Sequence, residues 1–234
     1  MIVFLDIGST LIDGPPAGPG QRIATELELG VDAAPAMNDI LFKTDAFESA
    51  ELADRVSRRF GIDPCRSARV IAQVWDAQFA ESYVLPGAVE AIASLRAAGI
   101  ERVYVSNIWR PFYLRFETAF SREAKMQPCF PSFRTRKMKP DPELLREICR
   151  QVGTKPQEVI MVGDTWEADI APAMDIGMAT IWILHRPTKE KRELVRILNG
   201  SGARPDLTLA SIGELSAEIV RQAHDIHARR NGDK

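Results

Sequence analysis

Two short apolar runs, far apart in the chain, each end in a carboxylate. Ile2-Val3-Phe4-Leu5 is closed by Asp6, with Gly8 and Thr10 just beyond, and Val159-Ile160-Met161-Val162-Gly163 is closed by Asp164. Short, continuous apolar runs bounded in this way read as strands buried on both faces, the pattern of a parallel sheet. Ligands of open α/β sheets bind outside the carboxyl ends of the strands, so the two acids are expected to converge on one site. A divalent metal is the simplest reason to bring them together.

The rest of the chain divides at two punctuation marks. Gly14-Pro15-Pro16-Ala17-Gly18-Pro19-Gly20 has a linker composition in which neither helix nor strand persists, and Leu85-Pro86-Gly87 is the second break. From residue 21 to 84 the pattern is helical, with Ile23, Leu27, Leu29, Phe47, Leu52, Val56 and Phe60 at helical spacing and no convincing strand. Asp63-Pro64 is an N-cap followed by proline at N1, opening a helix with Val70, Ile71, Val74, Trp75 and Phe79 on one side. After residue 85 strands and helices alternate. Helices are expected at 86–98 (Val89, Ile92 and Leu95 inward, stopped by Gly99), 113–124, 142–152 (stopped by Gly153), 166–174 and 214–228. Strands are expected at 103–105, 129–133, 159–162, 179–184 and 207–209. The fold class is therefore α/β, a Rossmann-like parallel sheet with helices on both faces, residues 1–13 and 85–234 forming the core. Residues 14–84 form an inserted helical unit.

Composition excludes several function classes. The 234 residues are 45% hydrophobic and 26% charged, close to soluble globular averages, and the net charge of -2 favours neither nucleic acid nor a membrane surface. No stretch approaches the roughly 18 apolar residues of a membrane span, and the N-terminal run, broken at Asp6 and without a basic leader, does not read as a secretory signal. Cys65, Cys129 and Cys149 are scattered singly without metal spacing. They read as small buried or half-buried hydrophobes in a reducing cytoplasm. His224 and His227 read as a solvated helix end, and the charge run from Lys189 to Glu193 as a solvated face.

Read by chemical need, four strand ends or their loops offer one group each. Asp6 is a nucleophile or metal ligand, Ser106 a hydroxyl donor, Lys139 a fixed cation and Asp164 a second metal ligand. A carboxylate attacking a phosphorus dianion is repelled unless cations neutralise both, which is what a Mg²⁺ and a lysine supply. Mg²⁺ takes one or two carboxylates together with waters and substrate oxygens. Asp169, five residues past Asp164, is placed to hold a metal-bound water. Thr10 reads as a brace for the Asp6 loop. Asn107 and Arg110, which follow Ser106, are candidates to touch substrate, and Trp109 and Trp166 flank the cleft in sequence, although packing is the commoner fate of Trp.

At these residues the chain resembles the haloacid dehalogenase-like (HAD) superfamily. The four motifs of that family appear in order as Asp6-Ile7-Gly8-Ser9-Thr10, Val105-Ser106-Asn107, Lys139-Pro140-Asp141-Pro142 and Gly163-Asp164-Thr165-Trp166-Glu167-Ala168-Asp169. The resemblance implies a helical cap inserted after the first motif and a covalent aspartyl intermediate at Asp6. It also implies Mg²⁺ held by Asp6, the main-chain carbonyl of Gly8, and Asp164. The substrate implied is a small phosphorylated metabolite, with no nucleic acid or membrane partner.

Gly8 departs from the phosphatase pattern, in which an Asp at this position protonates the leaving group and then activates water. General acid and base assistance is worth about 10² to 10⁴ in rate, so poor alkoxide leaving groups are expected to suffer most. Three other readings accompany that departure. A dehalogenase needs neither the acid nor a metal, and the pair Asp164 and Asp169 argues against it. A phosphonate-cleaving enzyme would need a cap lysine, for which Lys43, the only lysine between Asp13 and Val84, is the candidate; a lone helical lysine is more often solvated. The last reading is a metal- and phosphate-binding protein with weak turnover.

Overall fold

The computed structural model describes residues 1–30 and 32–232. Its strands are β1 (Ile2–Leu5), β2 (Ile12–Asp13), β3 (Tyr83–Val84), β4 (Glu101–Ser106), β5 (Cys129–Pro131), β6 (Val159–Gly163), β7 (Ala179–Ile183) and β8 (Leu207–Leu209). Six of them form one parallel sheet in the order β5-β4-β1-β6-β7-β8. After β1 the chain builds outward through β4 and β5, then returns to the other side of β1 for β6, β7 and β8. The direction of winding reverses beside β1, and a crevice opens there at the carboxyl ends. Leu5 pairs with both Tyr104 and Val162, which sets Asp6 level with the ends of β4 and β6.

Helices α1 (Pro19–Glu26), α2 (Ala33–Lys43), α3 (Ser49–Phe60) and α4 (Pro64–Glu81) lie between β2 and β3. Then follow α5 (Ala88–Ala97), α6 (Arg110–Ala119), α7 (Ser121–Met126), α8 (Ser132–Thr135), α9 (Pro142–Val152), α10 (Ala171–Asp175), α11 (Lys191–Leu198) and α12 (Ala217–Gly232). Successive strand side chains point to opposite faces, which sorts the central strands into two cores. Val3, Leu5, Ile160 and Val162 pack against α5, α6 and α12, while Phe4, Val105 and Met161 pack against α9 and α10. Each such Val, Leu or Ile contributes about 1.5–3 kcal/mol on burial. The sheet is thus covered on both faces, as its unbroken apolar strands require.

A third cluster belongs to α1–α4. It includes Ile23, Met37, Leu41, Val56 and Ile71, and it also takes in Trp109 from the segment that leads into α6. Among the described residues no helix is long and apolar enough to cross a membrane.

Several local expectations are corrected. The buried stripe of α5 is Ala88, Ala91, Ile92 and Leu95, which leaves Val89 one step off it and 51% exposed. Phe79 stands similarly beside the Val70, Ile71, Val74 and Gln78 stripe of α4, and Phe47 lies 70% exposed in the turn before α3. Helix α1 starts at Pro19, inside the expected linker, because proline is tolerated at the first helical turn. The pair β2–β3 escaped the pattern, two residues each being too short to show a period. The expected extended stretch at 129–133 stops at Pro131 and turns into α8, and the 113–124 helix breaks at Phe120 into α6 and α7.

The expected helix from Trp166 opens with a wide π-type turn over Trp166–Ile170 before α10. Cys65 is exposed rather than buried. In the charge run Glu190 and Glu193 are buried, Glu190 accepting the Trp166 amide at 3.2 Å. His227 is half-buried against the Asp206 carboxylate and the Gly177 carbonyl, both at 3.2 Å, and not at a solvated helix end.

Candidate active site

Asp6 follows the last residue of β1, and its amide donates to the Val162 carbonyl at 2.9 Å, so the sheet itself holds the carboxylate at the crevice. Its Oδ2 accepts from the Thr10 hydroxyl at 3.1 Å and its Oδ1 from Lys139 Nζ at 2.7 Å. Thr10 is fully buried, with its hydroxyl held on the Asp6 carboxylate. Lys139 spends its other donors on the Val105 carbonyl at 2.9 Å and on Asp169 Oδ1. Burial pulls the Lys139 ammonium down, but Asp169 and Asp6 together outweigh it and hold the pKa above its ordinary value. The side chain is a permanent cation clamped between two acids.

Asp164 ends β6 as Asp6 ends β1. Burial pushes its carboxyl up to about 6, opposed by Arg186 and reinforced by the nearby Asp6 charge. Asp169 is turned back toward the sheet by the π-type turn, where Oδ2 accepts the Thr165 amide at 3.0 Å. Burial also raises its pKa, against the pull of Lys139. Carboxylate oxygens of Asp6, Asp164 and Asp169 lie within 4.8 Å of one another, and all three residues are buried.

The remaining expected residues take more particular places. Ser106 is buried beneath Gly8 and accepts its amide at 3.4 Å. Asn107 lines the cleft, but its amide is committed to the Lys139 backbone: Nδ2 donates to the carbonyl at 2.7 Å and Oδ1 accepts the amide at 2.8 Å. It positions the lysine. Arg110 points away from the cleft, 3.7 Å from Asp45 and over the Phe47 ring at 4.8 Å. Lys43 is ion-paired with Asp39 in a separate surface groove, so the cleft holds no cap lysine for a Schiff base among the described residues. Trp109 and Trp166 are buried. Trp109 meets Trp75 edge-on at 5.5 Å and Trp166 meets Trp182 at 5.2 Å, and both rings mainly pack.

Three cleft residues were not anticipated. Arg186 binds Asp164 Oδ2 from the loop after β7. A charge just beyond an apolar run was the signal that exposed Asp6, and it was present here too. Asp13 also lines the cleft. Burial alone would raise its pKa, but His185, the Gly14 amide, Arg186 and the Ser9 hydroxyl outweigh this and hold it below the ordinary value. Phe112, on the first turn of α6, faces Gly8, and nothing in its helical spacing separates it from a core aromatic. The cleft has a volume of about 350 Å³ and lies between the sheet ends and the residues of α2 and α4.

The family model described as haloacid dehalogenase-like hydrolase matches residues 49–183. A glyceraldehyde 3-phosphate phosphatase of Methanopyrus kandleri is 27% identical over 143 residues, 56% of this chain and 57% of that protein. The chain spans little more than half the length, or less, of the curated relatives it matches. Among solved structures, a HAD phosphatase from Thermococcus onnurineus aligns with a TM-score of 0.57 and 17% identity over 93% of this chain and 96% of that one. An L-2-haloacid dehalogenase from Xanthobacter autotrophicus aligns with a TM-score of 0.56 and 18% identity over 94% and 98%. At such identities the likeness speaks for the fold, whereas the family match covers more than half of the chain. The chain belongs to the haloacid dehalogenase-like hydrolase family.

Proposed function

We propose that this protein is a Mg²⁺-dependent cytoplasmic phosphatase of small phosphorylated metabolites, with Asp6 as nucleophile and residues 14–84 as a cap over the cleft. The observation that carries the reading is the Asp6 carboxylate, braced by Thr10, joined to Lys139 at 2.7 Å and grouped with Asp164 and Asp169 within 4.8 Å. Three buried carboxylates face two cations, Lys139 and Arg186. An all-oxygen donor set of that sign suits a hard divalent cation. Asp6, the Gly8 carbonyl and Asp164 would hold Mg²⁺, with Asp169 behind them. The ion would supply charge neutralisation at the phosphate oxygens.

The chain's own residues account for the remaining work. Lys139 offsets the negative charge of Asp6 as the phosphoryl group approaches and keeps Asp6 oriented for attack, while Thr10 fixes the other carboxylate oxygen. Asn107 holds the lysine backbone, while Asp6, Asp169 and the Val105 carbonyl hold its ammonium. The cap side of the cleft, including Phe42 and Gln78, restricts the cavity to a small substrate.

Asp6→Asn is expected to reduce hydrolysis of a phosphate monoester at least about 10³-fold, read by phosphate release against the wild type; unchanged turnover would reject the nucleophile. Mg²⁺ is expected to raise the thermal midpoint of the wild type and not that of Asp164→Asn, since ligands that bind only the native state stabilise it.

A further inference from the structure

This inference rests on the phosphatase reading and concerns which phosphates the cleft accepts. Gly8 lies two residues past Asp6 in the same loop, the position at which the resemblance to phosphatases of the family expects the acid that protonates the leaving group. A Cβ placed on Gly8 would lie 3.3 Å from Phe112 Cε1, closer than side chains ordinarily approach. A Cβ on Gly14 would lie 3.9 Å from Cε2 of the same ring. The ring edge of Phe112 thus touches both glycines and crowds the room that a side chain at Gly8 would need. Ile108 and Trp109 line the cleft with it. Beyond the Asp6, Asp164 and Asp169 group the cleft has one further carboxylate among the described residues, Asp13, which accepts the Gly14 amide at 2.9 Å and the Ser9 hydroxyl at 3.2 Å and is held below its ordinary pKa, which makes it a poor proton donor. Lys139 is committed to its two acids.

We propose that Phe112 is the specificity-determining residue of this site, an apolar wall in place of a proton donor. It restricts the enzyme to phosphate compounds whose leaving group departs as a stable anion, namely acyl and aryl phosphates. In the first step the Asp6 carboxylate oxygen forms a bond to phosphorus, and the bond from phosphorus to the leaving oxygen breaks. That oxygen keeps the electron pair and leaves as a carboxylate or phenolate without a proton. In the second step water adds to phosphorus, the Asp6 carboxylate departs, and the water's second proton stays on the released phosphate. Neither step draws a proton from position 8. An aryl leaving group also gains contact with the Phe112 edge, whereas an alkoxide would have to depart unprotonated against an apolar surface.

The test compares 4-nitrophenyl phosphate and acetyl phosphate with glycerol phosphate, using wild type, Gly8→Asp, Phe112→Ala and the double variant, with Asp6→Asn as the blank. The wild type is expected to hydrolyse the first two and leave glycerol phosphate near the blank. Gly8→Asp alone is expected to gain little on glycerol phosphate, because the Cβ of the new side chain already crowds the ring at 3.3 Å. The double variant is expected to gain about 10²-fold or more, the usual worth of a general acid. An equal gain by Gly8→Asp alone, or wild-type turnover of glycerol phosphate as fast as of the aryl ester, overturns the role of Phe112.

A thermal-midpoint cycle on the same four proteins reads the packing without turnover. Gly8→Asp is expected to cost more in the wild type than beside Phe112→Ala, and additivity overturns the placement. Phe112→Val serves in the cycle if the alanine variant folds poorly. Absence of turnover above the blank for every phosphate, with the coupling present, rejects the phosphatase reading and the substrate class with it, while leaving the wall itself established.

Discussion

Gly163 is pressed directly against Asp169. A Cβ there would come within 2.4 Å of Asp169 Cγ, and that carboxylate is pinned by Lys139 on one side and by the Thr165 amide on the other. Gly163→Ala is therefore expected to displace Asp169, loosen Lys139 and abolish the Mg²⁺-induced rise in thermal midpoint while the far-ultraviolet circular dichroism stays native. A preserved metal response would show that the carboxylate yields without cost. At this scale the sequence was legible where a charged residue closed a strand, as at Asp6 and Asp164. The order of the motifs made Lys139 and Asp169 readable as well. It was silent on Phe112, since an aromatic on an amphipathic helix carries no mark of the glycine it faces, and on the Asn107 amide, whose partner is backbone.

Elements are tied together by buried polar groups as much as by apolar ones. Glu123 on α7 accepts from Arg102 Nε at 2.8 Å and the Tyr104 hydroxyl at 3.0 Å, both on β4. Burial alone would raise the Glu123 pKa, but Arg102, Tyr104 and Arg96 outweigh it and leave it below its ordinary value. A carboxyl lowered on folding stabilises the protein above its unfolded pKa, about 4.3, and that contribution disappears as pH falls through the lower folded value. Glu123→Gln is expected to lose about 3–5 kcal/mol at pH 7 by stranding Arg102, and to show a flatter loss of stability below pH 4 in urea titrations. An unchanged acid limb would exclude Glu123 as its source.

Regular elements with strong end signals were the readable ones. Helix α9 runs from Pro142 to Val152 because Asp141 caps the Glu143 amide at 2.9 Å and Gly153 ends it at φ +74°. The π-type turn before α10 was not readable, because its purpose is to return Asp169 to the crevice and no local propensity encodes it.

On the scale of the molecule, the helical layer takes in a side chain from the segment that follows β4. Trp109 enters the cluster of α1–α4, its ring edge-on to Trp75 and its Nε1–H donating to Gln78 Oε1 at 3.2 Å. Trp109→Ala is expected to cost about 3–5 kcal/mol and to split thermal unfolding into two transitions in calorimetry, the helical layer first. One cooperative transition would show that other contacts suffice to couple the layers.

The chain leaves the sheet for that layer and returns from it along β2 and β3, paired Ile12 to Val84 and Asp13 to Tyr83. Antiparallel partners stand only about 4.5–5.5 Å apart. Some seventy residues are therefore attached through a gap that a two-residue hairpin turn could bridge, and the layer is a replaceable cassette. A lineage could exchange it without altering the register of any strand that carries the site.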